Sequence, residues 1–289
     1  MIELDAGPAS HSFISQRLKL NYVDWGNASA PMLILVHGGR DHARSWDWVA
    51  RGLRDEWHVI APDLRGHGDS AWSPDGAYSI PFFVADLAQL IHQLGEQPVS
   101  IVAHSFGGAV SLRYAGLYPE RVRRIAAIEG VGLQPLALKE PVDVRWRTFI
   151  ENRRAISGRT PRRYTSIADA LARMRAENAH LSEAQARHLT IHGVIRNEDG
   201  TFSWKFDNYF RSLYPDGLSD EELRALWHRI AGPVWLVHGA DSWAEHPETD
   251  GRADAFRDVR VTSYAGAGHW AHHDRAQDFI ADLRAFLSD

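Results

Sequence analysis

The stretch Val99-Ser-Ile-Val-Ala-His104-Ser105-Phe106-Gly107-Gly108 decides the fold of this chain. Its apolar first half is typical of a buried strand, and a helical pattern begins directly after Ser105. A serine on so tight a strand-to-helix turn has a strained backbone and tolerates only small residues two positions away, here Ala103 and Gly107. The turn exposes the hydroxyl above the sheet, beside the free N–H groups of the helix N-terminus. Ser105 is therefore the expected nucleophile, and the alternative is a serine that only caps the helix.

Short apolar runs lie on both sides of this stretch, and each ends in a polar or glycine-rich turn. Runs that are apolar on both faces are typical of a parallel sheet covered by helices. Helical patterns alternate with them, which predicts an α/β fold with a doubly wound, mostly parallel sheet and a ligand site beyond the carboxyl ends of the strands. The expected strands are 17–25, 32–36, 57–61, 99–103, 125–128, 234–237 and 259–264, and the expected helices are 46–54, 82–94, 106–118 and 271–287.

The alternation breaks between residues 133 and 227. This stretch has helical patterns over 167–179 and 182–193 but no run that is typical of a buried strand. It predicts an all-helical cap over the sheet edge, inserted into a core that comprises residues 1–132 and 228–289. The aromatic residues of this cap that are candidate pocket walls are Trp146, Phe149, Trp204, Phe206, Tyr209 and Phe210.

The first part of the predicted cap is rich in arginine. Residues 145–175 hold nine arginines, against the carboxylates of Glu151 and Asp169. Charge runs usually form a solvated helical face, which is the interpretation we favour. The alternative is a cap that binds an anion.

A histidine that suits a serine nucleophile follows the last apolar strand, in Gly266-Ala-Gly268-His269-Trp270. A serine hydroxyl is a poor nucleophile at neutral pH and needs an adjacent imidazole as general base. Because His269 follows a core strand, it can reach the sheet edge where Ser105 is expected. His272 and His273 come next, but no metal-binding pattern accompanies them. We therefore expect no metal and interpret these two as histidines near solvent at a helix start.

Glycines in His37-Gly38-Gly39-Arg40, after the 32–36 strand, allow the backbone to turn back under the site. The N–H group of Gly39, together with that of Phe106, is a candidate oxyanion hole for a tetrahedral intermediate. Backbone donors have no sequence signature beyond glycine, so this pair is predicted from position.

These features, with Asp63-Leu-Arg-Gly-His-Gly-Asp-Ser70 after the 57–61 strand, resemble the α/β-hydrolase superfamily over nearly the whole chain. The chain order of the catalytic residues in that superfamily is serine, acid, histidine. The resemblance implies an α/β-hydrolase fold with Ser105 as nucleophile and His269 as base. It also implies that the amides of Gly39 and Phe106 form the oxyanion hole.

The acid departs from the commoner pattern of that superfamily. Most members carry it three residues after the glycine that ends the seventh strand. Here that glycine is Gly239, and the third residue on is Ser242. Asp241 stands one position early, where a residue without a catalytic role is usual.

A minority of the superfamily, including some haloalkane dehalogenases and a fungal lactonase group, has a glutamate at the end of the sixth strand instead. Glu129 occupies that place here, 24 residues after Ser105. A carboxylate directly after an apolar strand is partly buried and needs a partner such as His269. We expect a Glu129 oxygen within about 3.2 Å of the histidine nitrogen that faces away from Ser105. Asp241 is the alternative acid, and Glu129 would then face solvent at the start of the cap.

The type of nucleophile restricts the reaction. Dehalogenases and epoxide hydrolases of this superfamily need an aspartate, because water attacks the carboxylate carbon of their alkyl-enzyme ester. A serine instead favours a carboxylic-ester hydrolase that forms an acyl-enzyme, a lactone being one such ester. The alternatives are a C–C bond hydrolase of a diketone-like substrate, a cofactor-free oxygenase and a non-catalytic binding protein of the same fold.

Composition narrows the class of protein further. The 289 residues are 44% hydrophobic and 24% charged, which is typical of a globular chain. The net charge of −5 argues against binding to nucleic acid or to an anionic membrane. The absence of cysteine excludes disulfides and favours the cytoplasm, and neither a signal peptide nor a spanning run is expected.

Two glycine patterns, over 66–71 and 266–271, satisfy G-x-G-x-x-A after a strand. The first continues into a loop, and the second opens the final helix with no later strand to supply a ribose-binding acid. We therefore expect no dinucleotide and no other cofactor. The expected partner is a small ester-like molecule, and the sequence does not indicate an oligomeric state.

Overall fold

A computed structural model describes residues 7–131, 140–212, 214–215 and 217–288. The strands are β1 (Ala9–Ser15), β2 (Leu18–Asp24), β3 (Met32–Val36), β4 (His58–Pro62), β5 (Val99–His104), β6 (Val122–Ile128), β7 (Val194–Arg196), β8 (Phe202–Trp204), β9 (Val234–Gly239) and β10 (Val259–Tyr264). The helices are α1 (Asp47–Leu53), α2 (Ile80–Leu94), α3 (Phe106–Leu117), α4 (Val142–Ile156), α5 (Ile167–Glu177), α6 (Glu183–Gly193), α7 (Asp220–His228), α8 (Ala271–Asp274) and α9 (Ala276–Ser288). None of these described helices has the length and apolar character needed to cross a bilayer.

Eight of the strands form one sheet in the order β1-β2-β4-β3-β5-β6-β9-β10. The pairs from β4 to β10 are parallel, whereas β1 pairs antiparallel with β2 and β2 with β4. The predicted α/β class and mostly parallel sheet are confirmed. The carboxyl ends of β3, β5, β6 and β9 therefore lie along one edge, where a ligand site is expected.

The central strands are buried on both faces because helices cover both sides of the sheet. Ile34 and Val36 of β3 lie in a core cluster with side chains of α2 and α3. Leu33 and Leu35 point the other way, into a cluster with side chains of α1 and α9. This is the reason that these strands appear as continuous apolar runs in the sequence.

Two core elements differ from the sequence prediction. Strand β1 was not expected, since four of its seven residues are polar and five are exposed, as is typical of an antiparallel edge strand. The predicted final helix over 271–287 is two helices, α8 and α9, because the backbone at Arg275 leaves the helical region at φ −123°.

The insertion between β6 and α7 contains α4, α5, α6 and a short 3-10 helix, Asn208–Arg211. It also contains an antiparallel hairpin, in which β7 pairs with β8 around a turn over residues 197–200. The expectation of an all-helical insertion is therefore wrong. Strands of three residues are too short to show a period of two, so only the turn left a signal in the sequence.

The two predicted boundaries of the insertion, at residues 133 and 227, are compared with the structure in turn. The start at residue 133 lies outside the described residues. The end at residue 227 falls inside α7, whose Leu223 and Trp227 are buried in the core cluster that includes α3. We propose that α7 belongs to the core and that the cap ends before it.

Polar bonds and ring contacts fasten the insertion to the core. The Tyr78 hydroxyl donates to Oδ2 of Asp207 at 2.6 Å, and the Asp207 amide donates to the carbonyl of Gly66 at 2.8 Å. The Phe210 ring packs edge-on against the rings of His67 and Phe106, with centroids 4.7 and 4.8 Å away. These contacts thus hold this part of the insertion against the core, beside the carboxyl ends of the strands.

Helix α3 meets the end of β6 at a contact between two glycine backbones. A Cβ atom added to Gly108 would lie 2.6 Å from the Cα atom of Gly130, and one added to Gly130 would lie 2.7 Å from the Cα atom of Gly108. Any side chain at either position must push the helix away from the strand end. Because Ser105 directly precedes α3 and Glu129 precedes Gly130, this contact fixes how close the two lie.

We expect the Gly108→Ala variant to unfold at a lower temperature than the parent protein. The added methyl group meets rigid backbone, and overpacking of this kind costs about 1–3 kcal/mol. Gly52→Ala in α1 is the matched control, since its added Cβ meets the side chain of Ile280 and not a backbone. Thermal unfolding followed by circular dichroism compares the two. Equal midpoints for both variants would contradict the role of the glycine contact.

Candidate active site

Ser105 occupies the turn between β5 and α3 with φ 50° and ψ −118°. A residue other than glycine rarely adopts a positive φ, so the turn stores strain. The Ser105 amide donates to the carbonyl of Ile128 at 2.8 Å, and the Ser105 carbonyl accepts from the amide of Ala109 at 3.2 Å. These bonds tie the turn both to β6 and to the first turn of α3.

Gly107 is small because the end of β3 passes directly beside it. A Cβ atom at this position would lie 2.4 Å from the carbonyl oxygen of His37 and 2.7 Å from that of Val36. The expectation of a small residue two positions after Ser105 thus has a specific cause. The same contact holds the loop that carries Gly39 close to the serine.

His269 lies on the loop between β10 and α8, beside the serine. Its Nε2 atom is 2.9 Å from the Ser105 Oγ atom. The ring of His104 lies underneath, and its Nε2 atom donates to the His269 carbonyl at 2.9 Å. Burial and the nearby charge of His269 hold the pKa of His104 well below its usual range, so His104 stays neutral. Sequence reasoning did not identify His104 as a residue that contacts the loop of His269.

The Glu129 side chain is fully buried, and its backbone has a positive φ of 52°. Its Oε2 atom lies 3.5 Å from Nδ1 of His269, slightly farther than the expected 3.2 Å. Two other groups hold the carboxylate. Oε1 accepts from the Gly239 amide at 2.7 Å, and Oε2 accepts from the Ser242 hydroxyl at 2.9 Å. The carboxylate therefore has hydrogen bonds that offset its burial, and it faces the imidazole.

Ser242 is the residue that sequence reasoning missed here. It stands where the commoner pattern has the acid, and its hydroxyl donates to the carboxylate of Glu129. Asp241 is exposed, and its amide donates to the carbonyl of Ala267 at 2.9 Å. In the described part of the chain, the Asp241 side chain makes no ion pair with His269. The geometry thus brings Glu129, rather than Asp241, to the histidine.

The predicted oxyanion donors lie next to the serine. Phe106 is the first residue of α3, so its N–H group has no acceptor within the helix. A Cβ atom on Gly39 would lie 3.8 Å from the Cβ atom of Phe106, so the two backbones are close. Both residues line the same cavity as Ser105 and His269, a space of about 510 Å³. Such an arrangement of donors can stabilise a developing oxyanion.

The insertion contributes to this cavity, which we call the serine cavity. Residues 177–181, at the end of α5 and after it, line one side together with Phe210. Trp243 is 74% exposed, and its ring centroid lies 5.0 Å from that of His269. Of the six aromatic candidates in the insertion, Phe210 lines the serine cavity, Trp204 and Phe206 line an adjoining cavity, and Trp146, Phe149 and Tyr209 line neither.

His272 and His273 are buried, so their interpretation as histidines near solvent is wrong. Helix α8 turns inward after His269, and the His272 ring stacks on Trp46 with centroids 4.6 Å apart. Burial is the main cause that holds the pKa of His272 well below its usual range and lowers the pKa of His273 to about 3. Both side chains are therefore neutral packing residues.

One group of potential metal ligands occurs among the described residues, away from the serine. Ligand atoms of Asp47, His188 and His192 lie within 4.8 Å of one another. The Asp47 carboxylate already accepts from the Arg44 guanidinium, with Nη2 to Oδ2 at 2.7 Å, and His188 Nε2 lies 3.2 Å from Oδ2. A cation here would have to displace that arginine, so the group is better explained as a contact between α1 and α6.

Comparison with known proteins agrees with this geometry. The model of the alpha/beta hydrolase family matches residues 33–283. The chain belongs to this family. It is 28% identical to an esterase of Mycobacterium tuberculosis, Rv0045c, over 91% of this chain and 84% of that protein. It is 25% identical to the mouse sn-1-specific diacylglycerol lipase ABHD11, over 94% and 85% of the two chains.

Solved structures resemble the whole fold of this family member. The thioesterase domain from the curacin biosynthetic pathway superposes with a TM-score of 0.83 at 22% identity, covering 96% of this chain and 99% of that one. A structure of the M. tuberculosis esterase Rv0045c gives a TM-score of 0.78 at 25% identity, covering 98% and 92%. The insertion is thus included in the similarity, since these matches span nearly the whole chain.

We expect Glu129→Gln to slow the activation of Ser105 on the order of 10²–10⁴-fold, because the amide misorients the imidazole or fixes the wrong tautomer. Asp241→Asn is the matched control and should cost much less. The rate at which a fluorophosphonate labels Ser105 measures both, without requiring the natural substrate. The opposite ranking of the two variants would assign the acid to Asp241.

Proposed function

We propose that this chain is a serine hydrolase that cleaves carboxylic esters through an acyl-enzyme intermediate. The observation that carries the proposal is the distance of 2.9 Å between the Ser105 Oγ atom and the His269 Nε2 atom, on a strained turn. This is the contact that lets an imidazole remove the hydroxyl proton as the oxygen attacks. The buried carboxylate of Glu129 on the other side of the ring supports the same role.

The first half of the reaction forms the acyl-enzyme. The Ser105 oxygen attacks the ester carbonyl carbon while its proton moves to Nε2 of His269. The amides of Gly39 and Phe106 donate to the oxyanion, and the Glu129 carboxylate stabilises the imidazolium. The tetrahedral intermediate then collapses, and the leaving alcohol takes the proton from His269.

The second half returns the enzyme to its starting state. Water attacks the acyl carbon and gives a proton to His269, and a second tetrahedral intermediate forms in the same oxyanion hole. Its collapse breaks the bond to the Ser105 oxygen, which regains the proton. The products are a carboxylic acid and an alcohol, or one hydroxy acid where the substrate is a lactone.

The relatives favour esters over the other reactions of this residue set. One is named an esterase and another a diacylglycerol lipase, and both are similar to this chain over more than four fifths of its length. No comparable observation favours C–C bond cleavage of a diketone, cofactor-free oxygenation or a binding protein without activity.

Ser105→Ala is expected to lower kcat by on the order of 10⁴-fold or more while substrate binding is largely kept. The loss follows from removing the atom that forms the acyl bond. A panel of short and medium p-nitrophenyl esters, lactones and ring-cleavage diketones supplies the substrate. Ser105→Ala is measured beside the parent protein on each compound. Near-native turnover by the variant on the best substrate would refute the acyl-enzyme mechanism.

The same proposal predicts no release of halide from 1-haloalkanes and no opening of simple epoxides. An ether between Ser105 and an alkyl group has no carbonyl carbon for water to attack, so such a reaction would stop after one event. Ion-selective detection of halide measures the first case, and product chromatography measures the second. Sustained halide release that persists in Ser105→Ala would point to a different nucleophile.

A further inference from the structure

A second cavity, of about 490 Å³, adjoins the serine cavity. The two cavities share five lining residues: Gly39, Arg40, Glu177, Asn178 and Trp270. Together they form one continuous space that includes Gly39, a donor of the proposed oxyanion hole. A substrate whose carbonyl lies at Ser105 can therefore extend into the second cavity.

Four arginines line this second cavity, which we call the arginine cleft. Arg40 follows Gly39 on the loop after β3, and Arg211 ends the 3-10 helix of the insertion. Arg162 lies between α4 and α5, and Arg173 lies on α5. The core and three parts of the insertion thus each contribute an arginine to the lining of one cavity.

Negative charge in the arginine cleft is scarce. Glu177 is the one carboxylate among its described lining residues, and it pairs with Arg173 one turn away on α5. Within the described residues, Arg40, Arg162 and Arg211 have no carboxylate at ion-pair distance. These three arginines therefore line the cavity without an ion pair to the described parts of the protein, and the Arg162 guanidinium lies 5.5 Å from the centroid of the Tyr164 ring.

Arg40 and Arg211 affect each other electrostatically. Partial burial and the positive charge of Arg211 lower the pKa of Arg40, and they outweigh the opposite effect of the Glu177 carboxylate. Positive charges that surround a cavity repel one another, and this repulsion raises the free energy of the empty site. They also focus a positive potential in the cavity, and that potential attracts an anion. The planar guanidinium group is suited to such a ligand, because its paired N–H donors match the oxygens of a carboxylate or a phosphate.

The other carboxylates near Ser105 lie outside the arginine cleft. Asp241 and Asp274 line the serine cavity but not the adjoining one. A negative group on a bound substrate is therefore repelled from these acids and attracted towards the arginines. This difference gives the substrate a preferred orientation around the nucleophile.

We propose that the arginine cleft binds an anionic group of the ester substrate. This group is a carboxylate or a phosphate, and it is attached to the substrate at a distance from the carbonyl that reacts. This inference rests on the proposed function, since it names the class of ester that the same site accepts. Arg40, Arg162 and Arg211 are then specificity-determining residues, because they contact the charged group and not the ester carbonyl.

Three pairs of esters test the proposal, and each pair contrasts a charged group with a neutral amide. The first pair places the charge on the acyl side: mono-p-nitrophenyl adipate against its terminal amide. The second places a carboxylate on the alcohol side: 4-carboxyphenyl butyrate against 4-carbamoylphenyl butyrate. The third pair compares 4-phosphonooxyphenyl butyrate, which carries a phosphate, with the same neutral amide, 4-carbamoylphenyl butyrate. The measured quantity is the ratio of kcat/KM for the charged ester to that for the neutral one.

We expect the parent protein to prefer the charged member of at least one pair by tenfold or more. Arg162→Gln and Arg211→Gln should each lower that ratio by about tenfold, because each removes a charged hydrogen bond to the anion. Arg187→Gln, at an exposed arginine of α6 that lines neither cavity, is the matched control and should leave the ratio unchanged. The pair that shows the preference identifies the anion and the side of the ester that carries it.

Failure of this inference is distinguishable from failure of the proposed function. Ser105-dependent hydrolysis of the neutral esters, without a preference for a charged one that depends on Arg162 or Arg211, would overturn the inference alone. If no ester is hydrolysed and a fluorophosphonate does not label Ser105, the proposed function fails, and the inference fails with it.

Discussion

The approach of α3 to the ends of β3 and β6, at distances that exclude side chains, is the constraint on which the rest of the site depends. Gly107 lies against the backbone of β3, and Gly108 lies against Gly130. These contacts force the strained turn at Ser105 and place the first amide of α3 beside Gly39. They also bring Glu129 to the same sheet edge. The proposed nucleophile, oxyanion donors and acid are thus positioned by backbone packing.

Much of the fold was predictable because its signals are local. A strand buried on both faces is a continuous apolar run, so β3 was predicted with its observed bounds. The turn at Ser105 was predictable because strain there restricts the neighbouring residues to small ones. Glu129 was predicted from the resemblance to the minority of the superfamily that has a glutamate after the sixth strand, and the free-energy cost of burying a carboxylate there agreed with that placement.

The features that the sequence did not reveal depend on contacts between distant segments. His104 holds the carbonyl of His269 from 165 positions away, and no local pattern reports such a bond. His272 is buried against the ring of Trp46, although polar residues follow it directly in the sequence. The strands of the β7–β8 hairpin are too short to show the alternation of apolar and polar residues by which a strand is predicted. In each case tertiary packing, rather than the propensity of the segment, decides the outcome.

The hydrogen bond from Ser242 to Glu129 restricts the order of single substitutions by which an acid at position 242 can be exchanged for an acid at position 129. An aspartate at position 242, where the commoner family pattern has its acid, would face Glu129 across the space of a 2.9 Å hydrogen bond. Two carboxylates that close do not both ionise, so they would share a proton. If Glu129 is lost first, the histidine has neither acid. Every stepwise route between the two placements therefore passes through a chain with either a proton-sharing acid pair or neither of the two acids.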